Sequence, residues 1–381
     1  MTDRHFHPLR IAKIIKRTEL ASSLEFEVPD NLQELYRFKA GQYLTFKVNH
    51  NGQELRRSYS INSSEYNSDP LQVTVKKVAQ GKVSNHFVDD LQVNDILEAM
   101  PPLGQFVLPD AVPDKVYLYA AGSGVTPIFG ILKTLLQGHE NCQVNMQYGN
   151  FNREQVIFHE ELQALENAYS ERFVLTHHYT DAKTTESKGL FGKFFGNKQV
   201  ETHDTEAQPG DFTVDKLLKL AQTDTNFNQA HHYICGPGQM IPELEAALLS
   251  IGVSESNIHH EYFAAADAAS SATRDEVSAN NNSETSDLLT TQLTVTLDGD
   301  TETFDLPAGE TVLRASIDEG LSVPYACESG VCATCKALCK KGKVKLRSNA
   351  VLSDDELEQG YILTCQAEAL TAELEVDYDA V

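Results

Sequence analysis

Over the first hundred or so positions, apolar residues alternate with polar ones at the two-residue period of half-buried strands. The clearest runs are LEFEV (24–28), QYLTFKV (42–48), ELRRSYSI (54–61) and LQVTVKKV (71–78). The second and third flank Asn51-Gly52, a pair that accepts the positive φ angles of a tight hairpin turn. A short helix near VSNHFVDDL (83–91) and a turn around Pro101, Pro102 and Gly104 complete the segment, which predicts a small antiparallel barrel. From about 114 the period changes. VYLYAAG (116–122) is a continuous apolar run of the buried-strand kind, and Pro127 opens a helix striped by Ile128, Ile131, Leu132 and Leu135. QVNMQYGN, RFVLTHHYT and HHYICGP predict further strands, and EQVIFHEELQAL, FTVDKLLKLA and QMIPELEAALLSI predict helices. Strands alternating with helices make a parallel sheet.

Residues 264–290 are Ala, Ser, Asn and acids with little apolar content, the composition of a flexible linker. Beyond it LTVTLDGDTETFDL (293–306) predicts a hairpin across Asp298-Gly299 and a third domain running to Val381. The expected division is therefore 1–110, 111–263, 264–290 and 291–381. An insertion at about 181–210 contains KGLFGKFFGNK and then a polar run. It reads either as a docking or membrane-touching loop or as a plain insertion between strand and helix.

Composition narrows the function classes. The chain has 381 residues, enough for two or three domains, and 41% of them are hydrophobic, enough to build cores. The formal net charge of −24 argues against nonspecific binding of nucleic acid, so no nucleic-acid partner is expected. No apolar run approaches the ~20 residues of a membrane span, and the N-terminal stretch lacks the pattern of a signal peptide. The seven cysteines are an odd number, and four of them have ligand spacing. That is metal-site usage in a reducing compartment, so a cytoplasmic location is expected.

Those four are Cys327, Cys332, Cys335 and Cys365, in the pattern C-x4-C-x2-C followed by 29 residues and C. This is the plant-type ferredoxin spacing for a [2Fe-2S] cluster. Gly330 and Ala333 in CESGVCATC leave room for backbone to wrap around sulfide. Zinc is the alternative, but it commonly uses two close cysteine pairs. A one-electron centre needs a source, and four other segments suit one. Arg57-Ser58-Tyr59-Ser60 can pair with a pyrophosphate through Arg and lie flat on a flavin through Tyr, or it is an ordinary exposed strand. Gly81-Lys82-Val83-Ser84-Asn85 offers close backbone approach, and Ser84 can cap the following helix, which suits a phosphate or is simply a capped helix. Ala120-Ala121-Gly122-Ser123-Gly124-Val125-Thr126-Pro127 joins a strand to a helix where nucleotides bind in parallel sheets. Cys235-Gly236-Pro237-Gly238 ends another strand, either beside a nicotinamide or as a buried Cys at a turn.

RRSYS, GKVSN, AAGSGVTP, YGNFNREQVIF, CGPGQM and HEYF together resemble the ferredoxin–NADP reductase family. With VPYACESGVCATCKA and GYILTCQA added, the chain is similar to the oxygenase-reductase branch, of the phenylacetyl-CoA epoxidase type. The resemblance implies a flavin-binding all-β barrel, a nucleotide-binding α/β domain and an α+β ferredoxin domain of the β-grasp kind. It implies FAD held by Arg57, Ser58, Tyr59 and Ser60, with its pyrophosphate at Gly81, Val83 and Ser84. Gly122, Gly124, Thr126 and Pro127 would form the nicotinamide-nucleotide turn, and Cys235, Gly236 and Pro237 would flank the nicotinamide. Glu261 and Phe263 would close over the flavin, and the four cysteines would ligate the cluster. Tyr59, Ser60 and Cys235 would be the catalytic set. Two positions depart: His86 stands where Trp is frequent, and Cys339 is no family ligand and reads as a packed bystander.

The implied activity is an NAD(P)H oxidoreductase. Electrons from NADPH (or NADH) would pass through FAD and the cluster to the oxygenase component of a multicomponent monooxygenase. A different oxygenase or a small acceptor remains the alternative destination. Arg153 follows a strand end where an adenosine 2′-phosphate can be met, which favours NADPH, unless it is a plain surface residue. From 291 onward there are seventeen Asp or Glu and seven Lys or Arg. Most of the basic ones fall in 340–347, either a docking patch or a solvated strand face.

Overall fold

The computed structural model describes residues 4–66, 69–181, 208–263 and 290–381. The linker expected at 264–290, except its last residue, lies outside the described residues, as does the insertion at 181–210 except its two ends.

The N-terminal region comprises strands β1 (His7–Thr18), β2 (Ala21–Glu27), β3 (Tyr43–His50), β4 (Gln53–Ser60) and β5 (Gln72–Lys76), helix α1 (Lys82–Asp89) and strand β6 (Ile96–Ala99). Their order is β4-β3-β6-β1-β2-β5. A bridge between Ile61, just past β4, and Val73 of β5 joins the two outer strands and closes the barrel. Asn51 (φ 54°) and Gly52 (φ 79°) make the expected hairpin turn. Strand β1 is not apparent from the alternation. Its pairing with β2 shifts register between Ile11 and Lys13 and again between Lys16 and Thr18, which breaks the two-residue period.

The second region alternates strands and helices. In chain order these are β7 (Lys115–Ala121), α2 (Val125–Gly138), β8 (Gln143–Asn150), α3 (His159–Ala168), β9 (Phe173–Tyr179), β10 (Gln208–Pro209), α4 (Val214–Gln222), β11 (His231–Cys235), α5 (Met240–Ser250) and β12 (Ile258–Glu261). The sheet is parallel, in the order β10-β9-β8-β7-β11-β12. The chain winds outward from β7 to one side and then resumes on the other, so the order reverses between β7 and β11. The stripe Ile128, Ile131, Leu132 and Leu135 of α2 is fully buried. The helix expected over EQVIFHEELQAL begins only at His159. Arg153–Gln155 form one 3-10 turn, and Val156, Ile157 and Phe158 are buried, with Phe158 at φ 64°. The Phe158 ring stacks on Phe129 at 4.1 Å, so packing against α2 overrides local helix propensity.

The C-terminal region holds β13 (Thr290–Leu297), β14 (Asp300–Pro307), α6 (Val312–Asp318), β15 (Lys336–Lys341), β16 (Val344–Leu346), α7 (Asp354–Glu358), β17 (Tyr361–Leu363), β18 (Ala367–Ala369) and β19 (Glu373–Asp377). The main sheet runs β14-β13-β19-β15-β17, with β13 and β19 parallel and the other pairs antiparallel; β16 and β18 form a small second sheet. Sheet and α6 enclose Leu293, Val295, Val312, Leu313, Leu363 and Val376, a β-grasp core. Asp298 (φ 55°) and Gly299 (φ 84°) make its first hairpin.

The described residues divide into two compact units. One comprises the described residues of 7–55 and 59–261; the other comprises the described residues of 1–6, 56–58 and 262–381. No helix among the described residues is long and apolar enough to cross a membrane.

Candidate functional site

Ligands bind parallel sheets where strand order reverses, beyond the carboxyl ends of the strands. Here that point carries two turns. Gly122-Ser123-Gly124 follows β7 as a 3-10 turn into α2, with Gly122 at φ 53°. Cys235 ends β11, and Gly236-Pro237 follow it. A Cβ added to Gly124 would lie 2.1 Å from the Cys235 carbonyl oxygen, so the two turns touch backbone to backbone. Thr126 is buried, and its hydroxyl donates to the Ser123 carbonyl at 3.1 Å. Pro127 sits in the first turn of α2, where its missing N–H costs nothing. Tyr148 at the end of β8, which the motifs do not single out, donates to the Gly122 carbonyl at 3.1 Å and is fully buried. The cradle fits the pyrophosphate and nicotinamide ends of a dinucleotide.

Ser60 ends β4 of the barrel, and its Oγ donates to Glu261 Oε2 at 3.2 Å. Glu261 ends β12 and pairs in register with Cys235. Three residues from distant parts of the sequence thus meet beside the switch point. Burial pushes the Glu261 carboxyl up to about 8, against a smaller downward pull from the Ser60 hydrogen bond. The Cys235 thiol is fully buried and held well above the usual thiol range, by burial first and by Glu261 second. Tyr59 is half-buried, with its ring 5.4 Å from Phe87 and 6.2 Å from Phe46. Arg57 is exposed on β4 and donates to the Arg56 carbonyl at 2.6 Å; Ser58 is half-buried. Phe263, two residues past β12, is 40% exposed.

The capping expectation for Ser84 is corrected. Helix α1 begins at Lys82, its N-cap is Gly81, and no side chain caps it. Ser84 lies inside the first turn, where its Oγ accepts the Val78 N–H at 3.3 Å. A glycine cap admits the helix two residues early and leaves the first amides without a side-chain acceptor, which suits a phosphate. Val83 is buried, and the buried Asn85 Oδ1 has no partner among the described residues. Arg153 is exposed, and its Nε donates to His159 Nε2 at 3.0 Å. His159 heads α3, and sequence reasoning had no signal for it because the helix seemed to start earlier.

In the C-terminal region Glu328 (φ 54°), Gly330 (φ 81°) and Ala333 (φ 52°) curl the loop that carries three of the cysteines. Cys327 neighbours Cys332, and Cys335 neighbours Cys365. Cys332 also acts electrostatically on Cys335, and Cys327 on Cys365, so the two pairs are neighbours. The Cys327 thiol is lowered, chiefly by Cys332 and despite burial. Cys365 is likewise lowered, chiefly by Cys335. The Ser329 N–H points at Cys327 Sγ at 3.4 Å. No three His, Cys, Asp or Glu side chains among the described residues converge on one single-ion position. The C-x4-C-x2-C spacing with a distant fourth cysteine suits two bridged irons better than one zinc. Cys339, four residues past Cys335, is half-buried on β15, and its Sγ bonds the Lys341 carbonyl at 3.4 Å rather than any of the four thiols. Within 340–347, Lys340 pairs with Asp377, Lys341 with Glu373 and Arg347 with Glu368. These internal pairs favour the solvated strand face over a docking patch.

Comparison with known proteins agrees with this layout. Three family models match in chain order: an oxidoreductase FAD-binding domain over 9–108, an oxidoreductase NAD-binding domain over 118–245 and a 2Fe-2S iron-sulfur cluster binding domain over 295–370. Over 379 residues the chain is 36% identical to the E subunit of 1,2-phenylacetyl-CoA epoxidase from Escherichia coli (strain K12), covering 98% of each. The chain belongs to the ferredoxin–NADP reductase family. Its C-terminal [2Fe-2S] domain places it in that family's branch of oxygenase reductases. It is 29% identical over 372 residues to the ferredoxin reductase component of 3-ketosteroid-9-alpha-monooxygenase from Rhodococcus rhodochrous, covering 97% of this chain and 96% of that one. The solved structure of phthalate dioxygenase reductase matches with a TM-score of 0.56 and 25% identity over 98% of each chain. Like its relatives in the branch, the chain is an oxidoreductase with FAD, nicotinamide-nucleotide and [2Fe-2S] domains.

Proposed function

We propose that this reductase serves the oxygenase component of a multicomponent monooxygenase of the phenylacetyl-CoA epoxidase type, in the cytoplasm, with NADPH as the donor. The observation that carries the partner is the similarity to the epoxidase's reductase along 98% of both chains. The cysteine usage supports the compartment. The domains are assigned as 1–110 for flavin, 111–263 for the nicotinamide nucleotide, 264–290 as linker and 291–381 for the cluster; the matched ranges 9–108, 118–245 and 295–370 fall inside them.

When bound, FAD would supply the conversion of one hydride's two electrons into single electrons, and the cluster would supply one-electron transfer. The rest is the work of the chain. Gly122, Gly124, Thr126 and Pro127 seat the nucleotide, and Gly236 and Pro237 hold the adjoining wall against it. Ser60 and Glu261 present a hydroxyl and a carboxyl kept protonated at neutral pH, so no charge opposes a hydride crossing beside them. Cys235 contributes a small thiol that burial keeps neutral and unreactive. Tyr59, Arg57 and Ser58 on β4, with Gly81, Val83 and Ser84 at α1, would hold the flavin and its pyrophosphate, and Phe263 would cover the ring. Arg153, held by His159, would meet the 2′-phosphate. Cys327, Cys332, Cys335 and Cys365 would hold the two irons.

Anaerobic NADPH should bleach the flavin and then reduce the cluster, and adding the epoxidase's other components should couple oxidation of NADPH to product. Equal coupling to a ring-hydroxylating oxygenase would name a different partner. Turnover of a small acceptor as fast as any coupled rate would make the chain a stand-alone reductase.

A further inference from the structure

Gln366 follows the cysteine at the end of the second ligand segment and is buried, at 6% exposure. Three acceptors surround its Nε2: the Glu328 carbonyl at 3.0 Å, the Cys365 carbonyl at 3.0 Å and Cys365 Sγ at 3.4 Å. Three acceptors around one atom identify that atom as the amide nitrogen rather than the oxygen. Glu328 lies in the curled loop with Cys327, Cys332 and Cys335, whereas Cys365 comes from the turn after β17. One side-chain amide therefore ties the two segments that carry the thiols. The loop is shaped around it: a Cβ on Gly330 would come within 3.2 Å of Gln366 Cγ and 3.0 Å of the Ser348 carbonyl oxygen. Gly330 in turn accepts the Ala350 N–H at 3.1 Å, which holds it over the glutamine.

We propose that Gln366 is a positioning residue that also sets how readily the cluster accepts an electron. Reduction adds one negative charge, spread partly onto the ligand sulfurs. An N–H aimed at Cys365 Sγ stabilises the reduced state more than the oxidised one. It therefore raises the reduction potential, and its removal lowers it. A hydrogen bond to a charged acceptor is stronger than one to a neutral acceptor, so the reduced state gains more from it than the oxidised one. The expected effect is a roughly tenfold fall in the ratio of reduced to oxidised cluster at fixed potential, about 59 mV for a one-electron couple. The inference rests on the assignment of the four cysteines to the cluster, and that assignment fails separately, as a parent protein that carries no iron.

The test uses the full-length holoprotein with Gln366→Leu, which removes the donor, and Gln366→Glu, which keeps the size and replaces the donor with a carboxylate. Iron and acid-labile sulfide are assayed, the midpoint potential is read by anaerobic titration followed by electron paramagnetic resonance, and NADPH–ferricyanide turnover monitors the flavin step. The expected result is iron content like the parent's, unchanged ferricyanide turnover, and a lowered potential in both variants, lower still in the Glu variant. Full iron loading with the parent's potential in both would overturn the proposal. Loss of iron from both would assign Gln366 to holding the loop alone and would overturn the tuning role.

Discussion

Burial raises the Glu261 carboxyl from its ordinary 4.5 to about 8, and this fixes the sign of two pH effects. The folded state binds the proton more tightly than the unfolded state, so this contribution to stability is fully present below about 4.5. It is lost as pH rises toward 8, because the unfolded chain ionises first. Glu261→Gln should flatten the fall in melting temperature between pH 5 and pH 8. In the parent, the rate of flavin reduction by NADPH should drop above about pH 8 as Glu261 gains charge; stopped-flow traces of the Gln variant should lack that limb. At the switch point, Gly124→Ala would drive a Cβ to 2.1 Å from a backbone oxygen. The backbone must move, at a cost of about 1–3 kcal/mol, and the KM for the nucleotide should rise at least tenfold while bound FAD is retained. Arg153→Ala should raise the KM for NADPH roughly tenfold, the scale of one charge-assisted hydrogen bond, and leave the KM for NADH unchanged.

Among the elements, β1 and α3 join the barrel to the nucleotide-binding sheet within one compact unit. Arg17 of β1 donates to Ser23 Oγ at 2.7 Å and Gln72 Oε1 at 3.2 Å and pairs with Glu161 of α3. Its guanidinium lies 5.0 Å from the Phe158 ring centroid. Lys133 of α2 pairs with Asp69 of the barrel. Phe158 thus closes the segment that begins at Asn150 and carries Arg153, and it keeps its left-handed backbone because its ring is stacked on Phe129. Phe158→Ala should cost about 3–5 kcal/mol, read as a lowered melting temperature, and should raise the KM for NADPH with no loss of bound FAD. This region also shows where pattern reading stops. Val156, Ile157 and Phe158 look like the apolar stripe of a helix, yet they are buried in an extended stretch and a left-handed turn. The bulged pairing of β1 hides a twelve-residue strand in the same way.

Across the whole molecule, the two-electron and one-electron chemistries are expected to separate cleanly. Cys365→Ser should strip iron while leaving FAD content and NADPH–ferricyanide turnover near the parent's, and should abolish oxygenase-coupled turnover; metal analysis beside the two assays checks it. Much of this organisation is written in local order. Cysteine spacing, hairpin turns at Asn51-Gly52 and Asp298-Gly299, and the strand–glycine–helix junction at 120–127 depend on residues close in the chain, so their chemistry is legible without a fold. Long-range convergence is not. The meeting of Ser60, Cys235 and Glu261, the seating of Gly124 on the Cys235 carbonyl and the amide of Gln366 spanning to Glu328 each join residues separated by tens to hundreds of positions. Local preference and periodicity extend only a few residues along a chain. Which distant groups meet, and how burial then shifts a carboxyl or a thiol, is decided only once the sheets have closed and water has been excluded.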